Sequence, residues 1–285
     1  MITLALCTLA LQGTAGPLQL HAEWSAPTQL PFPRVHAIAQ TPSQVVVGGI
    51  KGVGLGGPGK WRIAEDRPVR EMATQGSDVW VLYGDGSVDK LQPKEDRLYY
   101  DVLKEASKRP WASTLFADKE SIYFGTMGGW IVKSKTFAEF HPKELNGQVI
   151  TAICRINNDL WLGTQRAGAF RVRGNKIDRF GFAAGLPDSW VTAITNLDGT
   201  PTVGSADGGV SVFKNEKFTP LPTPASKIRK LQTFRNSLVI GALDGAWIEN
   251  PNGWQKLTDQ ETTTISQIDG KLALGTPTGL TFWKP

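Results

Sequence analysis

Cysteine and histidine are scarce in this sequence: only Cys7 and Cys154, and only His21, His36 and His141, occur among 285 residues. Once a leader is removed a single thiol remains, so no internal disulfide can close. Cys154 ends the apolar run Val149-Ile150-Thr151-Ala152-Ile153-Cys154, where it reads as a small buried side chain rather than a nucleophile. The histidines have neither metal-ligand spacing nor a carboxylate in phase with them, so no metal and no cofactor are expected. Charge of one sign is not concentrated anywhere. Lys and Arg number 31 against 26 Asp and Glu, for a net +5, too small and too scattered for a nucleic-acid binder. Beyond the N-terminus no apolar run approaches the roughly 20 residues needed to cross a bilayer. Sustained helical periodicity is missing too, which excludes a helical domain. G-x-S-x-G, H-E-x-x-H and EF-hand patterns are absent.

The first 21 residues contain no Asp, Glu, Lys or Arg. Ile2 to Leu11 is apolar over signal-peptide length, and Gly13-Thr14-Ala15-Gly16 offers small residues for a cleavage site. Residues 1–21 therefore read as a signal peptide or leader, although no positive side chain precedes the run. The bulky Leu6 before Cys7 speaks against a lipoprotein. The expected protein is periplasmic or secreted, with one domain over residues 22–285.

Glycine (31), proline (18) and tryptophan (10) are plentiful, and they point to many tight turns and packed aromatic surfaces. A short apolar run ending in glycine recurs seven times, at Gly48, Gly84, Gly125, Gly163, Gly204, Gly241 and Gly275. The intervals are 36, 41, 38, 41, 37 and 34 residues, within the range of propeller blades. Each unit reads as four strands. Val191-Thr192-Ala193-Ile194 is a first strand, and the glycine-ended run is a second strand, apolar on both faces because neighbours cover both. Gly209 to Phe213 forms a third, and Lys217 to Leu221 an outer fourth. These patterns predict an all-β chain, a seven-bladed β-propeller of four-stranded antiparallel blades. The last unit lacks an outer strand, and His21-Ala22-Glu23-Trp24-Ser25-Ala26 resembles the outer strands of other units. The N-terminal strand should therefore complete the last blade.

Gly185-Leu186-Pro187-Asp188-Ser189-Trp190-Val191-Thr192-Ala193-Ile194, continued by Val203-Gly204-Ser205-Ala206-Asp207-Gly208-Gly209-Val210, resembles the two-component regulator propeller repeat. Ile150 to Ile153 with Asp159 to Thr164 is similar, and Leu30-Pro31 with Val35-His36-Ala37-Ile38 echoes the same phrase. The likeness is good in the fourth and fifth units, fair in the first and third, and degenerate elsewhere. It implies the propeller fold and an extracytoplasmic sensor head, of a kind that recognises exported ligands, often glycans. Such heads are joined to a membrane span and a kinase or regulator. This sequence stops at Pro285 without a transmitter part, so direct signalling by it is not expected.

Gly52-Val53-Gly54-Leu55-Gly56-Gly57 satisfies G-x-G-x-x-G, but Pro58-Gly59-Lys60-Trp61 follows where a nucleotide site needs a helix start. Trp61 also stands where a phosphate loop places Ser or Thr, so a glycine-rich blade turn is expected. Asp207-Gly208 and Asp244-Gly245 read as turns. Propeller lyases and hydrolases cluster His, Glu or Asp at the channel mouth, and no such cluster is evident. The loops that enter first strands, and those joining second to third strands, gather on one face of a propeller. Arg34, Arg70, Arg109, Trp111, Trp190 and Arg229 come from the first set, and Lys51 and Arg166 from the second. Guanidinium forks suit carboxylates or sulfates, and tryptophan faces suit sugar rings or peptide side chains. Arg34, Lys51, Arg70, Arg109, Trp111, Arg166, Trp190 and Arg229 are thus the candidate ligand-binding residues. The reading is a non-enzymatic sensor-type propeller taking an acidic glycan or a protein partner, such as a membrane sensor. An assembly scaffold of an envelope complex is the alternative, and a lyase or hydrolase the third.

Overall fold

Twenty-eight strands form seven four-stranded sheets in the computed structural model, which describes residues 16–103, 111–134 and 138–285. Part of the expected leader, residues 1–15, lies outside them. Strand β1 spans Gln19–Ser25. Blade 1 contains β2 (Val35–Gln40), β3 (Val45–Gly49), β4 (Gly52–Gly57) and β5 (Lys60–Glu65). Blade 2 contains β6 (Val69–Gln75), β7 (Asp78–Tyr83), β8 (Val88–Gln92) and β9 (Arg97–Tyr99). Blade 3 contains β10 (Ala112–Ala117), β11 (Ile122–Thr126), β12 (Ile131–Lys133) and β13 (Ala138–Phe140). Blade 4 contains β14 (Ile150–Ile156), β15 (Asp159–Thr164), β16 (Ala169–Arg173) and β17 (Lys176–Phe180). Blade 5 contains β18 (Val191–Leu197), β19 (Thr200–Ser205), β20 (Val210–Lys214) and β21 (Lys217–Leu221). Blade 6 contains β22 (Ile228–Phe234), β23 (Ser237–Ala242), β24 (Gly245–Asn250) and β25 (Gly253–Thr258). Blade 7 contains β26 (Thr264–Ile268), β27 (Lys271–Thr276) and β28 (Gly279–Lys284).

Within this last sheet β1 pairs antiparallel with β28, from Gln19 opposite Lys284 to Ser25 opposite Gly279. The packed chain starts before residue 22. Leu18 is buried, and its backbone exchanges two hydrogen bonds with the Gln255 side chain, at 2.8 and 2.6 Å.

Burial follows strand order. Second strands such as β11 and β23 are buried throughout, whereas fourth strands such as β1 and β13 are mostly exposed. The core is accordingly divided into seven apolar clusters, each between two adjacent blades. No strand of one blade pairs with a strand of the next, so across these clusters the ring holds chiefly by burial of apolar surface.

The recurrent glycine sets how closely blades approach. A methyl group on Gly204 would stand 2.4 Å from Ile228 Cγ2 of the next blade, and one on Gly163 2.7 Å from Val191 Cγ1. The glycine-rich run from Gly52 to Gly57 is the third strand of blade 1, not a turn. Here Gly54 makes room for the Pro31 ring, which a Cβ would meet at 2.8 Å. Cys154 lies buried on β14, where burial pushes its thiol up to about 12. At that value the nucleophilic thiolate is scarce at neutral pH.

Candidate functional site

One structural device builds the mouth of the central channel. In six blades the first strand carries a β-bulge at its second residue, which shifts the register by one. The bulged residues are His36, Arg70, Ser113, Thr151, Thr192 and Arg229, and Thr263 precedes β26 at the corresponding place in blade 7. A bulge re-aims the side chain it inserts, and all seven line a single cavity of about 330 Å³.

Five of the seven are spent on joining blades. His36 Nδ1 donates to the Val69 carbonyl at 2.9 Å, Ser113 Oγ to that of Ile150 at 2.6 Å, and Thr192 Oγ1 to that of Ile228 at 2.7 Å. Thr151 bonds the Val191 carbonyl and Thr263 the Val35 carbonyl in the same way. Each acceptor is the first residue of the next blade's inner strand. Arg70 and Arg229 are the exceptions. Both are exposed, and neither forms a hydrogen bond or ion pair among the described residues.

Two further cations at the mouth are already paired. Arg34 donates from Nη2 to Glu261 Oε2 at 2.8 Å and from Nε to His36 Nε2 at 3.1 Å. The tautomer that satisfies both contacts of His36 carries its proton on Nδ1. Lys230 Nζ donates to Glu71 Oε1 at 3.0 Å across the channel. The cavity lining thus holds four cations, Arg34, Arg70, Arg229 and Lys230, against the two carboxylates Glu71 and Glu261. Trp190 stands at its rim, 41% exposed. Asp188 fixes the loop beneath it by accepting from the Trp190 amide with Oδ1 and the Asp207 amide with Oδ2, each at 3.0 Å.

Below the mouth the channel continues as a second cavity of about 330 Å³ lined by first strands of all seven blades. His36, Glu71, Thr151, Thr192 and Lys230 belong to both cavities and form the boundary between them.

Of the eight candidates read from the sequence, Arg34, Arg70, Trp190 and Arg229 meet at the mouth. Arg70 and Arg229 reach it as strand residues of β6 and β22 rather than from the preceding loops. Lys51, Trp111 and Arg166 are exposed but do not line it, and Arg109 lies outside the described residues. Glu71, Lys230 and Glu261 escaped the sequence reading. Alternation would turn Glu71 and Lys230 away from the side taken by Arg70 and Arg229. The bulge adds a residue and brings both members of each dipeptide to the channel.

No family model matches the chain, and no curated protein matches it. Solved structures do. The extracellular domain of a hybrid two-component system from B. thetaiotaomicron superposes with a TM-score of 0.78 at 14% identity, covering 95% of this chain and 41% of that one. The extracellular domain of a one-component system from the same organism gives 0.74 at 13% identity, covering 93% and 40%. The WD40 β-propeller domain of Doa1 gives 0.74 at 12% identity, covering 93% and 96%. At these identities the likeness shows the fold. The chain is a seven-bladed β-propeller. It spans about two fifths of the length of the two Bacteroides domains. No helix among the described residues is long and apolar enough to cross a membrane.

Proposed function

We infer that this chain is an exported, non-enzymatic ligand-binding propeller of the sensor-head type, with a leader that ends before Leu18, where the packed ring begins. Its ligand is an acidic glycan or an acidic segment of a protein partner, bound at the channel mouth. The observation that carries this reading is the pair of bulge positions, Arg70 and Arg229, that join no blades and have no partner among the described residues. Each guanidinium stands there without a structural contact to make, and an exposed indole lines the same cavity. Forked donors beside a flat apolar face suit a carboxylate on a ring or chain. The extracellular setting of the B. thetaiotaomicron domains supports the same assignment.

A thermal-shift screen with acidic and neutral oligosaccharides, acidic peptides and small anions at low salt tests the proposal. A ligand at about 100 times its Kd raises stability by about 2.7 kcal/mol. The shift should appear with acidic compounds only. Either Arg70→Ala or Arg229→Ala should weaken binding about tenfold while leaving the unliganded melting temperature unchanged. Affinity unchanged in both variants would sink the proposed mouth.

The scaffold reading has an observation of its own. Exposed Ile50, Met127 and Leu243 occupy second-to-third-strand turns on the mouth face. Turns of the opposite face expose no large apolar side chain among the described residues. A screen without any shift, together with a stoichiometric protein co-purifying from envelope extracts, favours the scaffold.

A further inference from the structure

Two of the four mouth cations hold a carboxylate of the protein itself, and one of these pairs crosses the channel. Glu71 is on β6 of blade 2 and Lys230 on β22 of blade 6. Their contact joins opposite sides of the ring. Glu71 is pinned at its other oxygen by blade 3, where Oε2 accepts from Thr114 Oγ1 at 2.9 Å and from the Leu115 amide at 3.2 Å. Lys230, with a flexible four-carbon stem, is the member free to swing. Arg70 and Arg229 directly precede Glu71 and Lys230 in the chain, so an unpaired guanidinium flanks each end of the bridge.

Resting on the mouth reading, we propose that Glu71 is an internal competitor for Lys230. Its carboxylate occupies the place of the ligand's own acid group, and the ligand binds by taking Lys230 from it. The anchoring group of the ligand is therefore a carboxylate. The exchange replaces one carboxylate–ammonium contact by another, so the two nearly cancel. The contacts to Arg70 and Arg229 then supply the gain. Glu71, once released, keeps its two hydrogen bonds to blade 3 and is not stranded. The arrangement also rejects neutral ligands, which cannot replace a carboxylate on Lys230 without leaving an ammonium unpaired. Because the pair stands on the boundary between mouth and lower channel, ligand binding also opens the way between them.

Titration calorimetry with trigalacturonate, triglutamate and neutral trigalactose tests this on the chain, on Glu71→Gln, on Lys230→Met and on the double variant. The amide oxygen of Glu71→Gln can still accept from Thr114 and Leu115, and melting curves check that the fold stands. The carboxylate probe that binds, sugar acid or acidic peptide, names the source of the group. Glu71→Gln should bind it about tenfold tighter, whereas Lys230→Met, which loses both of the contacts that the exchange balances, should bind it about as well as the unmodified chain. The gain from Glu71→Gln should vanish when Lys230 is also replaced. A gain that persists without Lys230 reflects only the removed charge and overturns the competitor role, as does a Glu71→Gln affinity equal to or below that of the unmodified chain. Equal binding of trigalactose overturns the carboxylate assignment. If no protein binds either carboxylate probe, the mouth reading falls and this inference with it.

Discussion

At the scale of single residues, the recurrent glycine of the second strand is, in six of the seven blades, a packing requirement rather than a backbone one. Gly204 has no space for a methyl group because Ile228 and Leu231 of the next blade occupy it, at 2.4 and 3.2 Å from the position of a Cβ. Gly84 is the contrasting case, since the nearest atom to its Cβ position is the Pro68 carbonyl oxygen at 3.7 Å. Gly204→Ala should therefore cost about 1–3 kcal/mol through overpacking, whereas Gly84→Ala should change stability by no more than about 0.5 kcal/mol. Urea unfolding of the two variants checks the contrast. A Gly204→Ala variant as stable as the parent would show that the blades can slide apart there. The repetition of this glycine was legible in the sequence because one steric demand recurs in six of the seven blades; in blade 2 Leu82 stands opposite Glu71 where the others place glycine, and Gly84 follows the strand.

At the scale of elements, one cation ties blades 4 and 5 together beside their shared apolar cluster. Arg171 on β16 is 5% exposed. It donates to Asp178 Oδ2 on β17 at 2.7 Å and forks onto Glu216, in the turn after β20, with two contacts of 2.8 Å. Its guanidinium also lies 5.3 Å from the Phe180 ring centre and 5.7 Å from that of Phe213. Hydrogen bonds from Arg171 hold the carboxyls of Asp178 and Glu216 below their ordinary values. A carboxylate lowered on folding adds stability above its unfolded value, and that stability is lost as pH falls through the folded one. The melting temperature should accordingly decline as the pH is taken from about 5 to 3. Arg171→Met should lower stability at pH 7 by about 2 kcal/mol, since one partner is well exposed and screened. It should also flatten the acid decline. Parallel acid limbs in parent and variant would exclude the joint as the titrating unit. Arg171, Asp178 and Glu216 cannot be connected from the sequence, because Glu216 belongs to the next repeat and meets Arg171 only through blade packing.

At the scale of the whole molecule, the ring puts residues from the two ends of the chain into one blade. Trp24 of β1 packs against Phe282 of β28 with ring centres 4.4 Å apart, and Trp24 also meets Trp61 of blade 1. Deleting residues 16–25 would leave a three-stranded last blade with an uncovered edge and remove the cover over the cluster between blades 7 and 1. The melting temperature should fall by about 10–20 °C and the transition broaden, as scanning calorimetry would show. An unchanged, sharp transition would mean that β1 contributes nothing to closure.

The sequence by itself determined the number of blades, their four strands and the face on which loops collect. These follow from local alternation and from a steric demand repeated about every 38 residues. Tertiary structure alone decided which of the cations on that face are free. Arg34 meets Glu261 from 227 positions away, and Lys230 meets Glu71 from 159, partners that only a closed ring brings within reach. It also decided that Arg70 and Arg229 break a ring of seven otherwise occupied by blade-joining side chains. A bulge and a contact to the next blade define that ring, and neither leaves a mark in the order of residues.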